Sequence, residues 1–304
     1  MRLDDFDPNI DVEDQRGRGG GMFGGGGGLG GGGMLFAFLP MVFSRFGCLG
    51  VAVLLVVALF FSGGLGMLGG GGGVQQGAPT QVSQQAGTDA QSSCAVNAES
   101  RAACNAFSSA QKTWTQVFQA NDARFVAPKL VFYSGQGQSG CGAAQSAMGP
   151  FYCPSDRGIY LDTDFFQELG QRFRAQGDFA QYYVIAHEFG HHIQNLLGTA
   201  QQVSQIQRRS SESEGNAASV RLELQADCYA GVWAAANRDR LEPGDIEEGM
   251  TAANAIGDDT LQREAQGRVV PERFTHGSSA QRMQWLRRGL ESGDPAACDT
   301  FAGT

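Results

Sequence analysis

The sequence AHEFGHH, residues 186–192, contains three of the four histidines of the chain. The surrounding residues, GDFAQYYVIAHEFGHHIQNLLG, predict one helix with Asp178 at its start and Gly198 at its end. Successive residues of an α-helix are about 100° apart, so His187 and His191 lie about 40° apart on one face. Glu188, about 60° from His191 on the helix, is near enough to hold a water bound to the same ion without being a ligand. This H-E-x-x-H pattern predicts two zinc ligands with a general base beside them.

A third metal ligand is expected on another helix, because a catalytic zinc ion usually has three protein ligands and one open position. The sequence VRLELQADCYAGVWA predicts a mostly buried helix over residues 217–237, in which Glu223 and Asp227 share a face. A buried pair of carboxylates needs a cation. We predict that Glu223, with the longer side chain, is the third ligand and that Asp227 accepts the N–H of a ligand imidazole. The reverse assignment stays open.

The other two histidines of the chain are His192 and His276. His192 is about 140° from His187 on the helix, so it is expected to be a surface histidine or a neighbour of the ligands rather than a ligand. His276, in RFTHGSSAQR, has three interpretations. It is a third zinc ligand, a donor that stabilises the oxyanion of the reaction, or a structural histidine before a helix that begins near Ser278.

Residues 46–68, FGCLGVAVLLVVALFFSGGLGML, form a run of 23 residues without a charge. That length predicts one membrane-spanning helix. Arg16, Arg18 and Arg45 precede it, and no Lys or Arg follows until Arg101, which predicts a cytoplasmic N-terminus and a domain on the periplasmic or extracellular side of a bacterial cytoplasmic membrane. A cleaved signal peptide is disfavoured because the run begins only after 45 residues.

The composition divides the rest of the chain into three parts. Residues 1–45 begin with DDFDPNIDVED and become glycine-rich, which predicts a disordered cytoplasmic tail. Residues 69–93 predict a flexible linker, and residues 94–304 are long enough for one folded domain. The formal net charge of −9 argues against nucleic acid as a partner, since nucleic acid needs a basic surface.

The pattern of the folded part predicts an α+β domain with a small sheet and a helical body. KLVFYSG and GIYLDT have the composition of short strands, and FYCPSDRG is typical of a turn. Helical spacing of apolar residues predicts helices at about residues 105–121, 163–177, 243–259 and 278–293, in addition to the two described above.

Six cysteines follow the apolar run, an even number that indicates disulfides in an outward-facing domain. Six cysteines permit fifteen pairings. The simplest pairs are the neighbours in sequence, and the two remaining cysteines form the third pair: Cys94 with Cys104, Cys141 with Cys153, and Cys228 with Cys298. A zinc site made of cysteines is disfavoured because no C-x-x-C occurs.

Several longer motifs carry a family resemblance. They are GCGAAQSAMGPFYCP, GDFAQYYVIAHEFGHHIQ, ELQADCYAGVWA, AIGDDTLQ, GRVVPERFTHGSSAQR and SGDPAACDTF, and they span about residue 105 to the end. In these motifs the chain resembles the bacterial neutral zinc metallopeptidases, which are membrane-anchored zincins. The resemblance implies one zinc ion per chain, His187, His191 and Glu223 as ligands, and Glu188 as the base. It also favours the pairs Cys141–Cys153 and Cys228–Cys298; Cys94 and Cys104 lie outside the matched part.

We therefore expect a membrane-anchored zinc peptidase with a peptide or protein substrate. Zincins commonly hold the substrate on an edge strand, and GIYLD, residues 158–162, is the predicted strand. One alternative is a non-catalytic envelope scaffold, in which a fourth ligand from His276 or a cysteine would close a structural zinc site. A second is a hydrolase of another amide, such as a cell-wall cross-link. The sequence predicts no oligomeric state.

Overall fold

A body of helices makes up most of the domain in the computed structural model, which describes residues 1–4, 6–17, 89–172, 175 and 177–302. Nine α-helices lie in this described part: Ala90–Cys94 (α1), Ala98–Ala120 (α2), Asp164–Gln171 (α3), Asp178–Leu197 (α4), Thr199–Arg209 (α5), Glu212–Ala236 (α6), Asp245–Ala255 (α7), Asp258–Gln266 (α8) and Ser279–Ser292 (α9). The predicted α+β class with a helical body is confirmed.

A four-stranded sheet packs beside the helices. Its strands are Val12–Asp14 (β1), Lys129–Tyr133 (β2), Phe151–Cys153 (β5) and Gly158–Asp162 (β6), in the order β1, β2, β6, β5. β1, β2 and β6 are parallel, and β5 runs antiparallel to β6. Gln136–Ser139 (β3) and Gly142–Gln145 (β4) form a separate hairpin. The sheet thus contains one strand from the beginning of the chain and one from the stretch predicted as a turn.

The strand GIYLD is not an edge strand. β6 lies between β2 and β5, and all five of its residues are buried. The prediction that it holds the substrate is therefore wrong, because both of its edges already pair with neighbours. The edge strand on that side of the sheet is β5, which comes from FYCPSDRG. A three-residue strand that ends in a cysteine and is followed by a proline gives no strand signal in the sequence.

The first seventeen residues belong to the folded domain, so the prediction of a disordered tail is wrong for them. β1 pairs in parallel with β2, with Val12 opposite Leu130. Leu3 and Ile10 are 5% and 4% exposed and lie in the main core. The composition of this segment is acidic, but a strand at a sheet edge needs only a few apolar contacts and a backbone partner, and β2 supplies that partner. The rest of the predicted tail, residues 18–45, lies outside the described residues.

The pairing of β1 with β2 also bears on the predicted membrane orientation. A single crossing at residues 46–68 would put residues 1–17 and 94–304 on opposite sides of the membrane, where the two strands could not meet. A cytoplasmic N-terminus with an outward-facing domain is therefore incompatible with this sheet. The predicted span itself lies outside the described residues. None of the helices among the described residues is long and apolar enough to cross a bilayer.

Three disulfides cross-link the domain, in the three predicted pairs. They join Cys94 to Cys104, Cys141 to Cys153 and Cys228 to Cys298, with Cα–Cα distances of 5.9, 5.8 and 5.5 Å. The first lies between α1 and α2. Residues 90–93, which the sequence assigned to the flexible linker, are therefore part of the fold; most of that linker lies outside the described residues.

Aromatic side chains fill the core between α2, α4 and α6. Phe107 of α2 meets Phe189 of α4 edge to face at 5.5 Å, and Trp114 of α2 meets Tyr229 of α6 at 5.2 Å. Such pairs stabilise a core somewhat beyond the area they bury. α4 ends at Leu197, and the C-cap Gly198 has a φ of 84°, in the left-handed region that glycine tolerates best. The helix bearing the H-E-x-x-H motif is thus held in the centre of the domain.

Shortening Ile10 tests whether the N-terminal segment is folded. Ile10→Ala should lower the free energy of unfolding by about 2–5 kcal/mol, because it leaves a cavity in the core. The matched control is Asp11→Ala, since the neighbouring side chain is exposed. Urea denaturation of the oxidised protein measures both. Equal stability of the two variants would contradict the described packing.

Candidate metal centre

The two histidines of the motif lie side by side on α4. His187 is 5% exposed, and its ring centroid is 4.8 Å from that of His191, with the rings nearly perpendicular. The 40° offset predicted for residues four apart is the reason that both rings leave the helix in the same direction. Their Nε2 atoms face α6.

Glu223 of α6 reaches both histidines. Its Oε2 lies 3.2 Å from Nε2 of His187, and its Oε1 lies 3.4 Å from Nε2 of His191. Ligand atoms around a tetrahedral zinc ion, with bonds of 2.0–2.2 Å, are separated by about 3.3 Å. The structure thus brings the three predicted ligands together, with ligand atoms that all lie within 4.8 Å of one another.

A close contact between α4 and α6 makes this meeting possible. A Cβ atom added to Gly190 would lie only 3.0 Å from both Cα and the carbonyl oxygen of Ala226. Gly190 lies three residues after His187 in the sequence, and Ala226 lies three residues after Glu223. The two backbones therefore touch within one turn of the ligands, which lets a glutamate side chain span the remaining distance.

The hydrogen bonds around the histidines leave their Nε2 lone pairs for a cation. Gln194 donates through Nε2 to the Leu222 carbonyl oxygen at 2.6 Å, so its Oε1 must be the atom 2.8 Å from Nδ1 of His191. Nδ1 of His191 is then the donor. Nδ1 of His187 likewise donates to Oδ1 of Asp227 at 2.8 Å. In neutral rings both Nε2 atoms are acceptors, and they face a carboxylate, which is a donor set that fits a metal ion.

Electrostatics among the protein groups point the same way. Burial would lower the pKa of His187, but the carboxylates of Asp227 and Glu223 raise it to about 9. Burial would raise the pKa of Glu223, but His191 and His187 hold it well below its usual range. The buried groups thus favour a positive charge between the rings and the carboxylate. A divalent cation supplies that charge without a proton on either ring.

Glu188 lies beside these groups in a cleft of about 760 Å³, which His187, His191 and Glu223 also line. Glu188 is 7% exposed. Burial raises the pKa of its carboxyl group, although the charges of His191 and His187 act to lower it. A carboxylate with a raised pKa accepts and returns a proton more readily near neutral pH. The predicted base thus lines the same cleft as the three candidate ligands.

His276 also lines this cleft, and its side chain is about half exposed. Its Nδ1 donates to Oδ1 of Asp258 at 3.2 Å, and Oδ2 of Asp258 accepts the backbone N–H groups of Thr275, His276 and Gly277. The hydrogen bond with Asp258 raises the pKa of His276, although burial opposes it. Within the part of the chain that the structure describes, the ligand atoms of His187, His191 and Glu223 lie within 4.8 Å of one another, and His276 does not belong to this set. Its position fits a proton or hydrogen-bond donor better than a third metal ligand.

His192 points away from the metal centre, as its angle on the helix predicts, but it is not on the surface. It is fully buried, donates through Nε2 to the Val126 carbonyl oxygen at 2.7 Å and accepts through Nδ1 from the Tyr152 hydroxyl at 3.0 Å. Burial lowers its pKa to about 4. This neutral histidine ties β5, where Tyr152 lies, to α4.

Four further residues of the site were not found from the sequence. Tyr183 donates to Oδ1 of Asp227 at 2.6 Å, and Arg282 of α9 contacts both oxygens of Asp227. Gln194 accepts a hydrogen bond from Nδ1 of His191, and Asp258 accepts one from Nδ1 of His276, so each orients one ring. Tyr183 and Gln194 stand one turn before His187 and one turn after His191, a helical spacing that could have found them. Arg282 and Asp258 had no local signal, because their partners are distant in sequence.

The family comparison agrees with this geometry. A family model described as "Putative neutral zinc metallopeptidase" matches residues 1–301. The chain belongs to this zinc metallopeptidase family. The match includes the N-terminal segment, in keeping with its place in the sheet, although the motifs behind the resemblance begin near residue 105.

Relatives of the chain occur in Escherichia coli and Mycobacterium tuberculosis. "Uncharacterized protein YpfJ" of Escherichia coli K12 is 53% identical over 196 residues, which cover 64% of this chain and 68% of that protein. "Uncharacterized protein Rv2575" of Mycobacterium tuberculosis H37Rv is 47% identical over 192 residues, 59% of this chain and 64% of that protein. No solved structure matches the chain at a significant level.

Adding a methyl group at Gly190 tests whether the helix contact builds the metal centre. Gly190→Ala should push α4 and α6 apart by a few tenths of an ångström. The resulting strain should cost about 1–3 kcal/mol of stability and weaken zinc binding, because Glu223 moves away from the histidines. Chelator competition and thermal unfolding measure the two effects.

Gly215→Ala is the control for this substitution. Gly215 also lies in α6, but an added Cβ there would meet no atom closer than 3.5 Å. That variant should gain about 0.5–1 kcal/mol from helix propensity and keep its zinc affinity. The interpretation is wrong if Gly190→Ala behaves in the same way.

Proposed function

We propose that this protein is a zinc-dependent peptidase that hydrolyses peptide bonds in a solvent-accessible cleft. The carrying observation is the set of His187, His191 and Glu223, whose ligand atoms lie within 4.8 Å of one another, with Glu188 lining the same cleft. Three protein ligands leave a position for water, whereas structural zinc sites usually have four. A carboxylate base next to such a site serves hydrolysis and has no use in a scaffold.

The roles of the protein groups follow from their positions. Zinc, when bound, would lower the pKa of a coordinated water and polarise the scissile carbonyl group. Glu188 would accept the proton of the attacking water and deliver it to the nitrogen of the leaving amine. Asp227 would keep the proton of His187 on Nδ1, so that Nε2 remains a ligand.

His276 would serve the developing oxyanion. Its Nδ1 donates to Asp258, so Nε2 carries a proton only in the imidazolium form, which would donate Nε2–H into the cleft. A donor that faces the place where negative charge appears stabilises the transition state more than the ground state. The four hydrogen bonds that Asp258 accepts would hold this donor at a fixed position.

The substrate would bind along β5. β5 is an edge strand. The segment that leads into it, residues 146–150, lines the cleft together with the first two residues of the strand, Phe151 and Tyr152. An extended peptide can add to an exposed strand edge through main-chain hydrogen bonds. His192 and Asn195 of α4 both hold the Tyr152 hydroxyl, so the strand would keep a fixed distance from the metal ligands.

The domain would work in an oxidising compartment, since three disulfides in one domain of this size are rare where thiols are kept reduced. A place outside the cytoplasm at the bacterial cytoplasmic membrane therefore remains part of the proposal, now with residues 1–17 on the same side as the rest of the domain. Attachment through residues 46–68 stays a prediction from the sequence.

Replacing the Glu188 carboxylate separates chemistry from metal binding. Glu188→Gln should bind zinc as the unchanged protein does but lose about 10²–10⁴ of its rate of peptide hydrolysis, because the base is gone. Bound zinc is measured on the purified protein, and turnover on a mixed peptide library. Glu247→Gln, on the exposed side of α7, is the control and should change neither quantity.

The outcomes discriminate among the candidate functions. Zinc lost together with activity in Glu188→Gln would contradict the assignment of Glu188 as a base. Stoichiometric zinc without cleavage of any peptide, in the unchanged protein, would favour the scaffold. Cleavage of cell-wall cross-links but not of peptides would favour the other amide hydrolase.

The pH dependence of hydrolysis tests His276. The raised pKa of His276 means that its protonated form persists above the ordinary histidine range and is lost as pH rises through the raised value. Activity that needs this donor should fall on the alkaline side. His276→Gln should lower kcat and remove that alkaline fall in kcat/KM, with zinc content unchanged. An identical alkaline limb in the variant would exclude His276 as its source.

A further inference from the structure

Arg282 is a buried cation that the proposed reaction does not use. It lies on α9, is 2% exposed, and stands among the groups of the metal centre. Its Nε donates to Oδ2 of Asp227 and its Nη2 to Oδ1, both at 2.9 Å, while Nη1 donates to the Ile256 carbonyl oxygen at 3.2 Å. Nη2 also lies 3.3 Å from Nδ1 of His187, but both of these nitrogens donate to Oδ1 of Asp227, so the contact between them is not the hydrogen bond that orients the ring. Burial of a guanidinium is costly unless such partners compensate it. Its position therefore calls for a role.

The two-pronged contact fixes the plane of the Asp227 carboxylate. A guanidinium has only donors, so both oxygens of Asp227 must accept from Arg282. Oδ1 has further acceptor capacity, and it takes the N–H of His187 at 2.8 Å and the hydroxyl of Tyr183 at 2.6 Å. The direction of the His187 ring thus depends on a carboxylate whose orientation is set from α9.

The backbone of α9 is held closely against α6, which carries Asp227. A Cβ at Gly289 would lie 1.9 Å from the Cys228 carbonyl oxygen, and one at Gly231 would lie 2.2 Å from the Leu286 carbonyl oxygen. The disulfide from Cys228 to Cys298 joins the residue after Asp227 to the segment that follows α9. Arg282 therefore starts from a backbone with little freedom to move relative to Asp227.

The charges of the centre balance only when Arg282 is included. Glu188, Glu223 and Asp227 are three carboxylates within α4 and α6, and all three are at least largely buried. One divalent cation and one guanidinium neutralise them together. Without Arg282 the buried centre would carry an excess negative charge beside Asp227, which favours a turned or displaced carboxylate.

We propose that Arg282 is a positioning residue of the metal centre: through its contact with Asp227 it sets the direction of the His187 ring and thereby the zinc affinity. This inference rests on the proposed metal site. It assigns Arg282 no contact with the substrate. Because the effect passes through Asp227, the consequences of changing Arg282 and Asp227 should not add.

The test compares the full chain with Arg282→Gln and Arg282→Lys. Zinc affinity is measured by competition with a chromophoric chelator, and ligand geometry by the visible spectrum of the Co²⁺-loaded protein. Arg282→Gln should weaken zinc binding by about 10–100-fold, the range seen when groups that orient metal ligands are removed. Arg282→Lys keeps the charge but not the fork, so it should lose less. Arg287→Gln, exposed on the same helix, is the control and should change neither.

A double-mutant cycle with Asp227→Asn tests the route of the effect. The loss in the double variant should be smaller than the product of the two single losses. Multiplicative losses would contradict action through Asp227. Circular dichroism and thermal unfolding report whether each variant is folded, and if Arg282→Gln is not, Arg282→Lys decides alone: zinc affinity within twofold of the unchanged chain and an unchanged Co²⁺ spectrum would overturn the inference. Failure of the unchanged chain to bind zinc would instead overturn the proposed function.

Discussion

The contact of α4 with α6 at Gly190 and Ala226 is the constraint on which the candidate site depends. Each helix carries an incomplete set of groups: α4 has two imidazoles and a base, and α6 has two carboxylates. Only helices whose backbones touch let Glu223 reach both rings while Asp227 reaches the far nitrogen of one of them. The remaining helices and the sheet keep this pair of helices in place, and β5 forms one wall of the cleft above it.

Buried charge explains why so many polar partners surround this contact. Carboxylates in a protein interior are stable only with hydrogen bonds and compensating positive charge. Here each ligand ring has a second partner on its other nitrogen: Asp227 for His187 and Gln194 for His191. The partners are themselves held, Asp227 by Tyr183 and Arg282, and Gln194 by the Leu222 carbonyl oxygen. The structure therefore fixes the orientation of the rings through three helices rather than through the motif alone.

Local patterns gave the parts of this site that lie within single elements. The spacing of His187, Glu188 and His191 predicted their common face, the four-residue spacing of Glu223 and Asp227 predicted theirs, and the cysteine pairs were found from proximity and elimination. Contacts between distant segments could not be read in this way. β1 is too short and acidic to look like a strand. β5 is only three residues long, ends in a cysteine and is followed by a proline. Arg282 meets Asp227 across 55 positions of sequence. Such contacts depend on tertiary packing, which leaves no periodic trace in one sequence.

The place of β1 has a consequence for how the chain reaches its native state. β1 ends at Asp14 and its partner β2 begins at Lys129, so the strand made first on the ribosome must wait for more than a hundred residues before it can pair. Joining them closes a very long loop. The entropy of loop closure grows only with the logarithm of length, about 0.6 kcal/mol for each doubling, so the folded state tolerates the separation. The folding rate is affected more strongly, because strand pairing between segments so far apart in sequence forms slowly. The edge of β2 should therefore be the last part of the sheet to be covered, after the helices and the disulfides that hold them have formed.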